Sequence, residues 1–151
     1  MVITAQILID ELWITDVDVV SLALIHDLKE DTNTRDETIK IRYWKEMLKK
    51  LRKLSKNDET LEWRGKEEKV KNYFERIKNC ECKDVVLVKL ADRIDNLRTM
   101  KWVFEPEKIR RKIEETKKYL LSLAEKYSEE TYCSELIRMS ENYSECLRIK
   151  K

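Results

Sequence analysis

The chain has 151 residues, enough for one domain with a buried core, and it contains a single glycine and a single proline. So few turn residues exclude most β and α/β folds, and the sequence therefore predicts an all-α helical bundle in one domain over residues 1–151. Charged residues make up 41% of the chain but nearly cancel to a formal net charge of +2, which argues against nucleic-acid and membrane partners.

Apolar periodicity predicts two helices before the first polar break. The first covers residues 2–13, where apolar side chains recur at helical spacing. The second covers residues 16–30, and either Thr15 or Asp16 can serve as its N-cap. The break itself, EDTNTRDE, is rich in residues that favour turns and caps.

A third, amphipathic helix is predicted over residues 37–54, with Thr34 or Asp36 as its N-cap. Its apolar stripe comprises Ile41, Trp44, Met47, Leu48 and Leu51. The Lys-rich run over residues 45–56 lies on this helix. We interpret it as a solvated helix face in preference to a phosphate-contacting surface, although it could steer an anionic ligand.

Further helices are predicted over the second half of the chain. Residues 66–79 show a clear apolar face, which comprises Val70, Tyr73, Phe74 and Ile77. Residues 85–88 alone would suit a buried strand, but a strongly helical segment follows and the sequence offers no partner strand, so we predict a buried helix over residues 82–104. Pro106 suits the first turn of the next helix, and a last helix is predicted over residues 129–148.

The four cysteines do not follow a zinc-binding spacing. Only one residue separates Cys80 from Cys82, no histidine lies nearby, and Cys133 and Cys146 are far along the chain. We interpret all four as reduced, partly buried thiols of a cytoplasmic protein. No stretch of the sequence is apolar enough to span a bilayer.

The only histidine, His26, lies in the segment LIHDLKEDT, together with Asp27, Glu30 and Asp31. Residues three or four apart are neighbours on a helix, so all four side chains can share one side of a helix end. Three carboxylates and an imidazole repel one another unless a cation or basic groups intervene. This donor set suits Mn, Fe or Zn better than Ca. The alternative is an ordinary helix C-terminus that runs into a polar loop.

A second polar cluster occurs in the segment VKLADRIDNLRTM, where Asp92 follows an apolar run and Asn96 comes one turn later. A carboxylate next to an amide suits a metal ligand with a neighbouring hydrogen-bonding group. The alternative is a surface pair of Asp92 with Arg93, which would contribute little to stability.

These two segments, in this order, resemble the HD-domain hydrolase of the RelA/SpoT homologue family, whose members carry similar HDxxEDT and KLADRxxNxRT motifs. The resemblance covers about residues 2–125, and the chain is similar in size to the small stand-alone hydrolases. It implies an all-α HD-domain bundle that uses Mn²⁺, or another divalent transition metal, to remove the 3′-pyrophosphate from ppGpp and pppGpp. The partner would be this small-molecule nucleotide, and a homodimer is compatible with the sequence.

The resemblance also implies roles for individual residues, carried over by motif. His26, Asp27 and Asp92 would be the metal ligands. Glu30 and Asp31 would be the catalytic pair that orients and deprotonates the attacking water.

Three further residues are implied to bind the substrate: Asn96 beside the nucleotide, and Arg111 and Lys56 at phosphate. The chain departs from the family at its first helix. The family's fourth metal ligand is a histidine in an HPxxVA-like stretch, and with Ala5 matching the family's alanine that histidine would precede Met1. The sequence therefore predicts either a chain that starts late or a natural short form with a weaker metal site.

Two other functions stay open on the sequence. One is an HD phosphohydrolase that acts on another nucleotide, NADPH included. The other is a catalytically silent helical module that binds a nucleotide or a partner.

Overall fold

The computed structural model describes residues 2–28, 32, 34–55, 66–103 and 105–127, together with residues 134–135, 137–138 and 142. Every regular element in these segments is a helix, which confirms the predicted all-α fold. The helices are α1 (Val2–Gln6), α2 (Val17–Ile25), α3 (Asp36–Leu54), α4 (Lys66–Asn79), α5 (Lys83–Val103), α6 (Pro106–Glu115) and α7 (Leu121–Lys126), with π-helical turns at Ile7–Glu11 and Thr116–Leu120. The predicted last helix over residues 129–148 lies largely outside the described residues. None of the described helices is long and apolar enough to cross a lipid bilayer.

The start of α2 is fixed by a side-chain cap. The carboxylate of Asp16 accepts hydrogen bonds from the backbone N–H groups of Asp18, at 2.9 Å, and Val19, at 3.2 Å. These bonds satisfy two of the donors that a helix leaves unpaired at its N-terminus. The prediction of an N-cap at Thr15 or Asp16 is therefore confirmed for Asp16, although α2 ends at Ile25 and a turn follows at residues 26–27.

The start of α3 differs from the prediction. Arg35 occupies the N-cap position and makes no side-chain capping bond, so the proposed caps Thr34 and Asp36 are both wrong. Asp36 instead lies in the first helical turn, where its carboxylate pairs with the guanidinium of Arg52 further along the same helix. This ion pair competes with capping for the same carboxylate oxygens.

The apolar stripe of α3 begins at Ile39, which is buried, whereas the predicted Ile41 is 84% exposed. The later members of the stripe are buried as predicted: Met47, Leu48 and Leu51. Lys45, Lys49 and Lys53 of the basic run are exposed, and Lys49 pairs with Glu46 at 2.6 Å on the helix surface, whereas Lys50 is partly buried beside Asp84. This arrangement agrees with the interpretation of a solvated helix face.

The chain packs as two compact units, residues 1–89 and 90–151, with the boundary inside α5. In the first unit α1 packs against α2, α2 against α3, and α3 against α4. Side chains that are fully or almost fully buried there include Leu8, Leu22, Ala23, Leu51, Ile77, Val85, Val86 and Val88. The prediction of one domain over residues 1–151 stays a prediction.

The middle of α5 is buried on all sides. Residues 85–91 are consecutively buried, and this explains why their sequence looks like a strand when taken alone. The one charge in this run, on Lys89, lies 5.5 Å from the centre of the Tyr73 ring. The Tyr73 hydroxyl donates to the carbonyl of Leu54 at 3.0 Å, so the buried polar atoms at this point have partners.

In the second unit the π-helical turn Thr116–Leu120 joins α6 to α7 and packs against both. Thr116 is buried, and its hydroxyl donates to the carbonyl of Lys112 at 2.7 Å. Pro106 lies in the first turn of α6, which confirms the prediction for that residue.

Candidate active-site residues

His26 is buried at the end of α2, with 5% of its surface exposed. Its ring atom Nδ1 lies 2.7 Å from the backbone carbonyl oxygen of Ala23, three residues earlier. A carbonyl oxygen only accepts hydrogen bonds, so Nδ1 must carry a proton and donate it. The bond holds the ring in one orientation, and Nε2 on the other side of the ring is also buried.

Nε2 of His26 lies 3.1 Å from Oδ1 of Asp27, whose side chain is 34% exposed. When the proton of a neutral imidazole is on Nδ1, Nε2 carries a lone pair, so this contact brings two acceptors together. A positive charge relieves the repulsion, either as a second proton on the ring or as a cation that both atoms bind. Metal-binding histidines usually donate their other N–H to a carbonyl or carboxylate, as His26 does to Ala23.

The catalytic candidates Glu30 and Asp31 lie outside the described residues. Thr32, which ends the HDxxEDT motif, is described. Its backbone N–H and its hydroxyl both bond to the carbonyl oxygen of Leu28, at 3.2 and 2.7 Å. Both bonds join residues four apart in the sequence.

Asp92 and Asn96 lie one turn apart on α5, and both are half-buried. The amide nitrogen of Asn96 donates to the carboxylate Oδ1 of Asp92 at 2.6 Å and to the backbone carbonyl of Asp92 at 2.8 Å. The side-chain amide of Asn96, which the sequence predicts to lie beside the Asp92 carboxylate, is therefore hydrogen-bonded to that carboxylate.

Arg93 does not belong to a surface pair, because it is buried with 3% of its surface exposed. Its guanidinium pairs with the carboxylate of Glu115 at 3.2 Å and donates to the carbonyl of Lys112 at 3.4 Å. The sequence gives no signal for this contact, because Glu115 lies 22 residues away on another helix. The pair links α5 to α6 within the second unit.

Arg111, a phosphate candidate, lies on α6 with 44% of its side chain exposed. Its Nε is 3.9 Å from the Glu115 carboxylate, a distance too long for a hydrogen bond. Lys56, the other phosphate candidate, lies outside the described residues. Ser55, just before it, is buried, and its carbonyl accepts a hydrogen bond from Arg76.

The structure establishes two local arrangements of predicted site residues: His26 with Asp27, and Asp92 with Asn96. Within each unit, the described His, Cys, Asp and Glu side chains form no group of three that could hold a metal ion. Each arrangement supplies donors that a divalent transition metal accepts, an imidazole nitrogen and a carboxylate oxygen in the first and a carboxylate oxygen in the second.

Comparison with known proteins places these observations in a family context. The sequence profile of the HD domain matches residues 1–128. A guanosine-3′,5′-bis(diphosphate) 3′-pyrophosphohydrolase of Aquifex aeolicus is 36% identical over 110 residues, which cover 72% of this chain and 15% of that protein. A guanosine-3′,5′-bis(diphosphate) 3′-pyrophosphohydrolase of the MESH1 type from Xenopus tropicalis is 38% identical over 97 residues, which cover 64% of this chain and 51% of that protein. The Haemophilus influenzae protein is 33% identical over 127 residues, which cover 83% of this chain and 18% of that protein. The chain thus spans about half the length of the Xenopus relative and less than a fifth of each bacterial one.

Proposed function

Because this chain belongs to the HD-domain family, we propose that it is a metal-dependent phosphohydrolase that removes the 3′-pyrophosphate from the guanosine alarmones ppGpp and pppGpp. Water would be consumed, and the products would be GDP or GTP together with pyrophosphate. The activity named for its relatives from Aquifex, Xenopus and Haemophilus supports this choice of substrate.

The observation that carries the proposal is the orientation of His26. The bond from Nδ1 to the Ala23 carbonyl fixes the ring, and Nε2 faces the Asp27 carboxylate at 3.1 Å. A histidine that serves only as a packed core residue has no need of a carboxylate beside its second nitrogen. The arrangement suits cation binding by a neutral imidazole and an adjacent carboxylate.

We propose Mn²⁺, or another divalent transition metal, as the cofactor, with His26, Asp27 and Asp92 as its ligands. When bound, such a cation would supply positive charge for the pyrophosphate group and acidify a water molecule. The chain's own contribution is to hold the ligands in place. The Ala23 carbonyl orients His26, and Asn96 bonds to the Asp92 carboxylate.

Glu30 and Asp31 are proposed to orient the attacking water and to accept its proton. A carboxylate within hydrogen-bond reach of the water can take that proton, and such general-base catalysis contributes about 10²–10⁴-fold to the rate. The proposal for this pair rests on its place in the HDxxEDT motif, four and five residues after His26.

The substrate's phosphates are proposed to meet Arg111 and Lys56. A guanidinium presents a fork of N–H donors that matches phosphate oxygens. Arg111 suits this role because its side chain is partly exposed and its contact with Glu115 is longer than a hydrogen bond. Asn96 is proposed to lie beside the nucleotide.

The proposal is tested by two substitutions that separate cation binding from hydrolysis. Asp92→Asn is expected to weaken Mn²⁺ binding, because it removes a charged ligand. Glu30→Gln is expected to leave Mn²⁺ affinity unchanged while slowing release of pyrophosphate from ppGpp by about 100-fold or more. Isothermal titration with Mn²⁺ and a pyrophosphate assay give the two readouts.

Glu37→Gln is a matched control, because Glu37 is an exposed carboxylate in the first turn of α3. It should leave both readouts at the wild-type value. Unchanged Mn²⁺ affinity in Asp92→Asn would contradict the assignment of Asp92 as a ligand. Turnover of NADPH or another nucleotide with none of ppGpp would reject the proposed substrate, and no turnover of any nucleotide would favour the silent binding module.

A further inference from the structure

We infer that Asn96 is a positioning residue, which fixes the carboxylate of Asp92 in the orientation that receives the cation. This inference rests on the proposed function, since it takes Asp92 as a metal ligand. It differs from the role that family resemblance implies for Asn96, which is contact with the nucleotide.

The geometry of the Asn96 amide carries the inference. Its nitrogen Nδ2 donates to the Asp92 carboxylate at 2.6 Å and to the Asp92 backbone carbonyl at 2.8 Å. An amide nitrogen has two N–H groups, so both are used on one residue. The reverse orientation of the amide would bring its oxygen against two acceptors, so hydrogen bonding alone selects the orientation seen here.

The two bonds act together. The bond to the backbone carbonyl ties the amide to the helix, and the bond to Oδ1 ties the carboxylate to the amide. The rotation of the Asp92 carboxylate is thereby fixed relative to α5. That helix is held firmly at this point, because the side chains of Ala91, Ile94 and Leu97 are buried with at most 1% of their surface exposed.

A carboxylate that is already oriented loses less conformational freedom when it binds a cation. Asn96, with both N–H groups used, can offer a ligand only its carbonyl oxygen, which repels phosphate oxygens. The main effect of Asn96 is therefore expected on cation affinity, through Asp92, and not on direct recognition of phosphate.

The test is a thermodynamic cycle for Mn²⁺ binding, measured by isothermal titration on the wild-type chain, Asn96→Ala, Asp92→Ala and the double variant. Asn96→Ala is expected to weaken binding about tenfold, as is usual for groups that orient metal ligands. The double variant should bind no more weakly than Asp92→Ala, because Asn96 has nothing left to orient.

Thr99→Ala is the matched control. Thr99 lies one turn beyond Asp95 on the same helix, and its hydroxyl donates to the backbone carbonyls of Asp95 and Asn96, at 3.0 and 3.5 Å. It contacts those carbonyls and not the Asp92 carboxylate oxygen that Asn96 bonds, so its removal should leave Mn²⁺ affinity at the wild-type value.

Two results would overturn the inference alone: wild-type affinity in Asn96→Ala while Asp92→Ala binds weakly, or additive losses in the double variant. Wild-type affinity in Asp92→Ala would overturn the inference together with the proposed ligand assignment. The failure of the inference and the failure of the proposed function are therefore distinguishable in one experiment.

Discussion

His26 and Asn96 are both held by carbonyl groups of their own helical segments. His26 bonds to the carbonyl three residues earlier, and Asn96 bonds to the carbonyl four residues earlier. These are the offsets at which helical residues are neighbours, so the spacing of the motif residues largely determines both contacts. At the residue scale, the polar groups of the candidate site are therefore oriented locally.

Trp13 has a backbone conformation that is unfavourable for a residue with a side chain. It follows the π-helical turn in the left-handed region, with a φ of 58°, and 83% of its surface is exposed. A residue with a Cβ atom is strained there, and glycine is not. Trp13→Gly is therefore expected to raise the free energy of unfolding by about 1 kcal/mol.

Urea denaturation checks this prediction. Trp13→Ala is the control, because alanine keeps the Cβ atom and should leave the strain in place. A fall in stability on replacement by glycine would show that the Trp13 side chain stabilises the fold in spite of its exposure.

At the scale of the elements, the buried pair of Arg93 and Glu115 links α5 to α6. The two side chains are only 4% and 12% exposed. Arg93→Met removes the 3.2 Å contact with the Glu115 carboxylate, but Lys112 at 3.5 Å and Arg111 at 3.9 Å still face that carboxylate. The substitution is therefore expected to lower the free energy of unfolding by about 2 kcal/mol.

Arg110→Met is the matched control for this prediction. Arg110 pairs with Glu107 at 3.4 Å on the surface of α6, where the side chains are 44% and 85% exposed. Such exposed pairs contribute little, so the control should change stability by less than about 0.5 kcal/mol. Equal effects of the two substitutions in urea denaturation would contradict the account of Arg93.

The contact of Lys50 on α3 with Asp84 on α5 predicts a pH dependence of stability. Burial lowers the pKa of Lys50, but the hydrogen bond and the charge of Asp84, 2.5 Å away, outweigh burial, so the pKa lies above its usual value of 10.5. A pKa raised by folding stabilises the fold fully below the unfolded pKa, and this stabilisation is lost as pH rises through the folded pKa.

Lys50→Met is therefore expected to lower the free energy of unfolding by about 0.5–1 kcal/mol near neutral pH. The difference from the wild type should shrink once the pH exceeds about 10.5. Urea denaturation at a series of pH values measures this difference. Lys49→Met is the control, because the ion pair of Lys49 with Glu46 lies on the exposed face of α3. A difference that grows with pH would contradict the sign of the shift.

Helix positions could be predicted where the sequence has clear apolar periodicity or a residue that marks the start or end of a helix. Residues 66–79 were predicted as a helix and α4 has those bounds, while Pro106 marks the first turn of α6. The start of α3 could not be predicted, because Asp36 pairs with Arg52 and does not cap the helix. The π-helical turns have no simple sequence pattern, since they depend on how one extra residue is accommodated by packing.

At the scale of the whole molecule, the candidate site could be predicted as far as its contacts are local. The two motifs identified His26, Asp27, Asp92 and Asn96, and the structure shows a contact within each motif. Arg93 and Glu115 lie 22 residues apart in the sequence, so no local sequence pattern predicts their buried ion pair. The family assignment follows from the match of the HD domain to residues 1–128.

We propose that this chain removes the 3′-pyrophosphate from ppGpp with the help of a divalent metal. The most direct measurement is to incubate the purified chain with ppGpp and Mn²⁺, with and without a chelator, and to identify the products. GDP and pyrophosphate are expected in equal amounts, with no reaction in the presence of the chelator. Intact ppGpp, or loss of phosphate from the 5′ side, would contradict it.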